Sequence, residues 1–303
     1  SRLGPAVTSP RSGTTTVANG TLRVDSSPNN AAPNDTGYNK FYGINGPLVI
    51  GDGSGAPNSA IVYLGDGTAL GTVPEGINHA VPITLFQDGL LSLKHNAQTI
   101  GKLTMTGGTV DSGAGGITYL DMANTSVSIA PTATSGPATI NGQLYLTYHL
   151  WAPGESAIRQ TRTFDVGYDA ANVATGDLVV NANVNVGALV KTGAGTMTLQ
   201  TAHNDYEGKT TVSNGILTVR VGTDGASKSS LGLGGSVNDD TTVGAGGTLQ
   251  LQNNLAITTE LLSLSGHGHN GTQGALENLA GTTTWGATLT RQITLAGNAS
   301  TSP

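Results

Sequence analysis

The stretch "GALVKTGAGTMTLQTAHNDYEGKTTVSNGILTVR", residues 187–220, decides how this chain is read. It holds two apolar beads, Met197/Leu199 and Leu217/Val219, with glycine, threonine and asparagine between them. Within each bead the apolar residues are two apart, the spacing that puts side chains on one face of a strand. Between "TTV" and "ILTV" stands Asn214-Gly215, a pair that supplies the positive φ of a tight corner. So many residues around so little core fit either a catalytic loop or a repeating scaffold.

The same pattern returns elsewhere. "GTTTVANGTLRV" (13–24), "GKTTVSNGILTV" (208–219) and "DTTVGAGGTLQL" (240–251) each read T-T-V, a Gly/Asn turn, then an alternating strand. In each, one Val and a following Leu/Val pair are expected to face inward around one corner. "DGLLSLKHNAQTIGKLTMTGGTV" (88–110) is a looser variant. Further i, i+2 pairs run along the chain: Val127/Ile129, Leu144/Leu146/Tyr148, Leu178/Val180, Leu262/Leu264 and Ile293/Leu295. Helix periodicity is nearly absent.

Composition supports a folded chain with a thin core. The 303 residues include 45 Gly, no Cys and only 3 Phe, and 11% are charged. A mean hydropathy of -0.06 and net charge of -6 are unlike the disorder signature. The missing cysteines exclude disulfides and thiolate metal sites. No Lys/Arg cluster accompanies the pI of about 5.4, which argues against a nucleic-acid partner. No apolar run approaches the length of a membrane helix, so no membrane insertion is expected in this segment.

Short strands, repeated corners and small apolar beads together predict an all-β solenoid whose rungs each bury a few aliphatics. With roughly 20–25 residues per rung, about 12–14 rungs are expected, a rod on the order of 60 Å long. Thr and Asn suit stacked strands, where equivalent side chains bond in ladders.

Residues 187–219 resemble the passenger-associated transport repeat of bacterial autotransporters. That repeat reads approximately G-L-x-K-x-G-x-G-x-L-x-L, a short N-x-Y-x-G linker, then T-x-V-x-x-G-x-L-x-V. Leu189, Lys191, Gly193, Gly195, Met197 and Leu199 match its first half. Asn204, Tyr206, Gly208, Thr210, Val212, Gly215, Leu217 and Val219 match its second. The resemblance is clearest over 161–300 and weaker over 13–24 and 81–110. Residues 25–80 match nothing in the repeat and are read as a loop or lateral insertion in a single solenoid, 1–303. The resemblance implies a right-handed parallel β-helix, exported to a bacterial surface. Residues 13–24 look like the second half of a repeat, so the chain is expected to be part of a longer solenoid.

Two motifs invite a catalytic reading. Polygalacturonases, also right-handed β-helices, carry an Asp pair and Gly-His-Gly near their groove; here stand "NDD" (238–240) and "GHG" (266–268). Paired carboxylates with a tuning His could hydrolyse a glycosidic bond, which makes Asp239, Asp240 and His267 the catalytic candidates. The Asn-Thr-Asp and Arg-Ile-Lys elements of that family are absent, and Asp before "TTV" is ordinary turn chemistry. "GDG" at 51–53 and 65–67 lacks the tandem array of a calcium-binding β-roll. No cofactor or metal site is expected. Tyr145 and Trp151, in "YLTYHLW", form a candidate interaction patch for a glycan or a lateral contact.

The reading that results is a non-enzymatic structural segment of a secreted or surface-displayed protein. Its expected partners are adjacent segments of the same chain, or copies of itself joined through strand edges. A glycan-binding adhesin and a polysaccharide lyase or hydrolase are the alternatives.

Overall fold

The computed structural model describes residues 2–3, 12–24, 43–65, 76–94, 96–113, 117–120, 126–147, 160–223, 228–233, 240–258, 260–271, 273–286, 293–296 and 299–302. Two parallel ladders run the length of the molecule. The first stacks Thr15–Val17, Leu48–Ile50, Ile83–Leu85, Leu103–Met105, Ser126–Ile129, Thr161–Val166 and Ala188–Thr192. It continues through the first parts of Thr210–Val219 and Thr241–Gln252 to Leu262–Ser265 and Ile293–Ala296. The second begins at Arg2–Leu3 and stacks Gly20–Val24, Ala60–Leu64, Gly89–Ser92, Thr109–Asp111, Ala138–Tyr145, Leu178–Asn185 and Thr196–Leu199. The second parts of the two long strands follow, then Leu276–Ala280 and Thr301–Ser302. Among the described residues the first ladder has eleven strands and the second twelve, close to the number of rungs expected from the sequence. The fold is a parallel β-solenoid.

Each coil runs up the first ladder, turns a corner, and continues in the second. The corner is the Gly/Asn turn of the repeats: Gly20 has φ 77° and Gly215 φ 70°. A third, shorter side closes some coils, where Ala97–Ile100 pairs with Ile117–Leu120, and Ala256–Ile257 with Thr284–Trp285. Coil length varies more than the sequence pattern suggests. Ile83 aligns with Leu103, 20 residues on, whereas Val127 aligns with Phe164, 37 residues on. The additional residues leave at the strand ends, residues 130–137 and 167–177 at the corner between the two ladders, so the ladders keep register. The 25–80 stretch, read above as a loop or insertion, supplies Leu48–Ile50 and Ala60–Leu64 to the two ladders. Its residues 25–42 and 66–75 lie outside the described residues.

The core is a set of aliphatic columns. One inward row of the second ladder passes from Leu22 through Val62, Leu91, Val110, Ile140, Val180, Leu199 and Val219 to Leu251, all buried. The expected corner triads Val17/Leu22/Val24, Val212/Leu217/Val219 and Val243/Leu249/Leu251 all face this interior. Met197 is fully buried between Leu178 and Leu217, a volume-conserving place for an unbranched side chain. Ile293 and Leu295 stand in register over Leu262 and Leu264, yet are 41% and 60% exposed. They continue the inward columns, but no further coil among the described residues lies over them. The expected outer ladders form as well: Asn181 Nδ2 donates to Asn141 Oδ1 at 3.0 Å, and Gln250 Nε2 to Glu277 Oε2 at 2.7 Å.

Candidate functional site

Several polar residues of the 187–220 repeat are buried and hydrogen-bonded. Lys191 occupies an inward position, with Phe164 before it and Val212 after it in register. It is fully buried. Its stem fills the column while Nζ donates to the carbonyl oxygens of Thr192 at 2.6 Å, Gly193 at 2.9 Å and Asn214 at 3.2 Å. Asn214 lies one coil further on, so a single ammonium ties two coils at the corner. Burial lowers the Lys191 pKa to about 7, against the opposing pull of the Asp165 and Asp177 carboxylates.

The linker between the two half-repeats does the same on the far side. Asn204 is fully buried; its Oδ1 accepts the Val184 amide at 2.7 Å and the Thr201 hydroxyl at 2.9 Å, and its Nδ2 donates to Ser230 O at 2.8 Å. Tyr206 is also fully buried, with its hydroxyl 2.6 Å from Thr210 Oγ1. Thr210 in turn donates to Leu231 O at 3.3 Å, which leaves the phenol as donor to Thr210. Burial pushes the Tyr206 phenol up, so it stays neutral in the fold. Glu260, buried close by, accepts the hydroxyls of Ser229 and Thr241. Tyr206→Phe removes one hydrogen bond and keeps the ring, so it should cost about 1 kcal/mol in chemical denaturation. A loss several times larger would mean that the hydroxyl network acts as a unit.

The loop 167–177 crosses the outside of the second ladder. Asp177 holds it: Oδ1 accepts the Asp169 amide and Oδ2 the Thr196 amide, both at 2.8 Å. Burial raises the Asp177 pKa, and the two amide bonds oppose that shift. Further ties run from Thr198 Oγ1 to Thr175 O at 3.1 Å and from Arg220 Nη2 to Ala174 O at 2.9 Å. Asp177, Glu260 and the buried Arg162 were not singled out from the sequence. Each is an isolated charge in a polar stretch, and only the register brings its partners alongside.

The predicted site residues are not gathered. Asp239 and Trp151 lie outside the described residues. Asp240 precedes the strand Thr241–Gln252 and pairs with Lys209 at 3.0 Å. His267 is exposed and follows Leu262–Ser265, the next strand up. Because Thr241 aligns with Leu262, the two residues sit at opposite ends of that ladder level. Tyr145 is half-buried beside Asn185, and its phenol is raised by burial and by the Asp205 carboxylate. Asp205 pairs with Lys228 at 3.2 Å. In the first "GDG", the turn wraps around a different carboxylate: the buried Asp88 accepts the amides of Asp52, Gly53 and Gly55. Exposed Asp52 bonds Ser54, which holds its own pKa down. Among the described residues no group of three or more His, Asp or Glu is arranged to hold a metal ion.

Short ladders, glycine corners and buried Lys, Asn and Tyr ties define a repeat-built parallel β-solenoid. The family model for the passenger-associated transport repeat matches residues 8–24 and 189–219, the two regions where the corner sequence is fullest. The chain carries the repeat found in autotransporter passengers. It is 28% identical over 213 residues to the adhesin BmaC autotransporter of Brucella suis biovar 1 (strain 1330). The match covers 64% of this chain and spans 6% of that relative's length. No solved structure matches the chain significantly. The chain thus resembles a short stretch of a much longer autotransporter.

Proposed function

We propose that this solenoid is a non-enzymatic structural segment of a bacterial surface protein, a stalk that carries other parts of a long passenger away from the cell. The observation that carries this reading is where the repeat's polar groups are used. Lys191 and Asn204 are buried and bond the next coil, and buried Tyr206 bonds Thr210 at the start of the following first-ladder strand. Stacking on adjacent segments of the same chain, or on copies of itself, uses the same strand edges. Display is tested by treating intact producing cells with an external protease. Loss of the segment from cells whose cytosolic proteins stay whole is expected; full protection would sink the reading.

The relative's printed name favours adhesion as a second reading, because a stalk and an adhesin share one scaffold and differ in their loops. A hydrolytic role would need Asp239 and Asp240 to act together. The purified chain and its Asp239→Ala/Asp240→Ala variant are expected to release no reducing ends from polygalacturonate. Release by the wild type and not by the variant would restore the enzyme reading.

A further inference from the structure

We infer that the Asn214–Gly215 corner is a site of spontaneous deamidation promoted by the fold, with Lys191 as the assisting residue. Three features meet there. Asn214 Oδ1 lies 2.9 Å from the Gly215 amide nitrogen, which puts the side-chain amide carbon beside the nucleophile that must attack it. Gly215 has no Cβ to obstruct ring closure and sits at φ 70°. Lys191 Nζ donates at 3.2 Å to the carbonyl oxygen of Asn214, the oxygen of the very peptide bond whose nitrogen reacts.

The third feature supplies the assistance. When Gly215 N–H loses its proton to water, negative charge spreads onto the Asn214 carbonyl oxygen. An ammonium already bonded to that oxygen stabilises this charge. The amide nitrogen then attacks Asn214 Cγ and the bond from Cγ to Nδ2 breaks. Nδ2 takes up a proton and leaves as ammonia, and a five-membered succinimide remains. Water opens the ring at either carbonyl, giving aspartate or isoaspartate at 214. No redox partner is needed, and water is the sole co-reactant.

Asn19–Gly20 and Asn270–Gly271 provide internal contrasts. Asn19 Oδ1 is also close to its glycine nitrogen, at 2.6 Å, but the Gly20 amide donates to Ser59 O in the neighbouring coil at 2.7 Å. The Gly271 amide donates to Gly268 O at 3.1 Å. Gly215 also lies in a ladder, in register with Gly247, so what sets Asn214 apart is the ammonium on its carbonyl oxygen.

Peptide mapping by mass spectrometry after incubation of the whole chain at neutral pH tests the inference. The free peptide SNGIL (213–217) serves as the rate reference. Asn214 in the folded chain should convert several-fold faster than in the peptide, and faster than Asn19 or Asn270. Lys191→Met should slow conversion at Asn214 while leaving the other two unchanged. Conversion at Asn214 in Lys191→Met that falls below the peptide's rate separates lost assistance from a loosened corner, which would bring it only to that rate. Conversion slower in the folded chain than in the peptide, or unaffected by Lys191→Met, overturns the proposal.

Discussion

Lys191→Ala should lower stability by about 3–5 kcal/mol, the range for removing a buried, hydrogen-bonded charge and leaving a cavity in its place. Two losses add. The corner carbonyls of Thr192, Gly193 and Asn214 lose a shared donor, and the column between Phe164 and Val212 loses its filling. Lys191→Met refills the column but not the bonds, so its cost should be smaller. The wild type should also carry a pH signature that both variants lack. The Lys191 pKa falls from 10.5 to about 7 on folding. Above 10.5 neither state holds the proton and this group costs nothing. As pH falls from there to about 7 only the unfolded state takes the proton up, so stability drops by about 1.4 kcal/mol per pH unit within that window. Below about 7 the full cost is present. Tyr206 acts oppositely at the alkaline end: its folded phenol resists ionisation, so stability declines as pH rises above 10.0. Denaturation midpoints between neutral pH and about 9.5 isolate the lysine. A flat wild-type profile there would show that the ammonium is well solvated by its three carbonyls.

Gly215→Ala should be strongly destabilising for a change of one methyl group. An L-residue at φ 70° costs about 1–2 kcal/mol from backbone strain alone. The added Cβ would also meet the carbonyl oxygens of Gly193 and Gly195, main-chain atoms of the preceding coil that cannot rotate away. Gly20 provides the control. It has φ 77°, but no atom lies within 4 Å of the Cβ position. Gly20→Ala should cost only the strain, while Gly215→Ala should cost at least about 2 kcal/mol more through overpacking. Equal losses would mean that the coils part easily at this corner.

Much of the fold was legible because its signals are local. The Val and Leu/Val spacing around each Gly/Asn turn is a property of about a dozen consecutive residues, and it placed Val17, Leu22 and Val24 correctly in the interior. Register was harder to read. Coil lengths, from 20 to 37 residues along the first ladder, carry no fixed period, so Leu48–Ile50 and Ala60–Leu64 were hidden between polar stretches. The roles of Lys191, Asn204 and Tyr206 were visible as motif positions but not as chemistry. Their partners, Asn214 O, Ser230 O and Thr210 Oγ1, come mostly from neighbouring coils. Asp240 and His267 show the converse: motifs paired by analogy lie at opposite ends of neighbouring ladder levels.

The ladders also determine how the molecule yields when stretched. Backbone bonds between coils point along the solenoid axis, so an axial pull loads them one after another instead of all at once. Coils should peel singly from a free end at low force. Each releases roughly 70 Å of slack for a 20-residue coil and about 130 Å for one of 37, at about 3.3–3.6 Å per residue. Where Lys191 and Asn204 bridge adjacent coils, the peeling front should stall. A tether of this kind dissipates a tug as a series of small extensions, and its stiffness is set by where the cross-coil bridges fall.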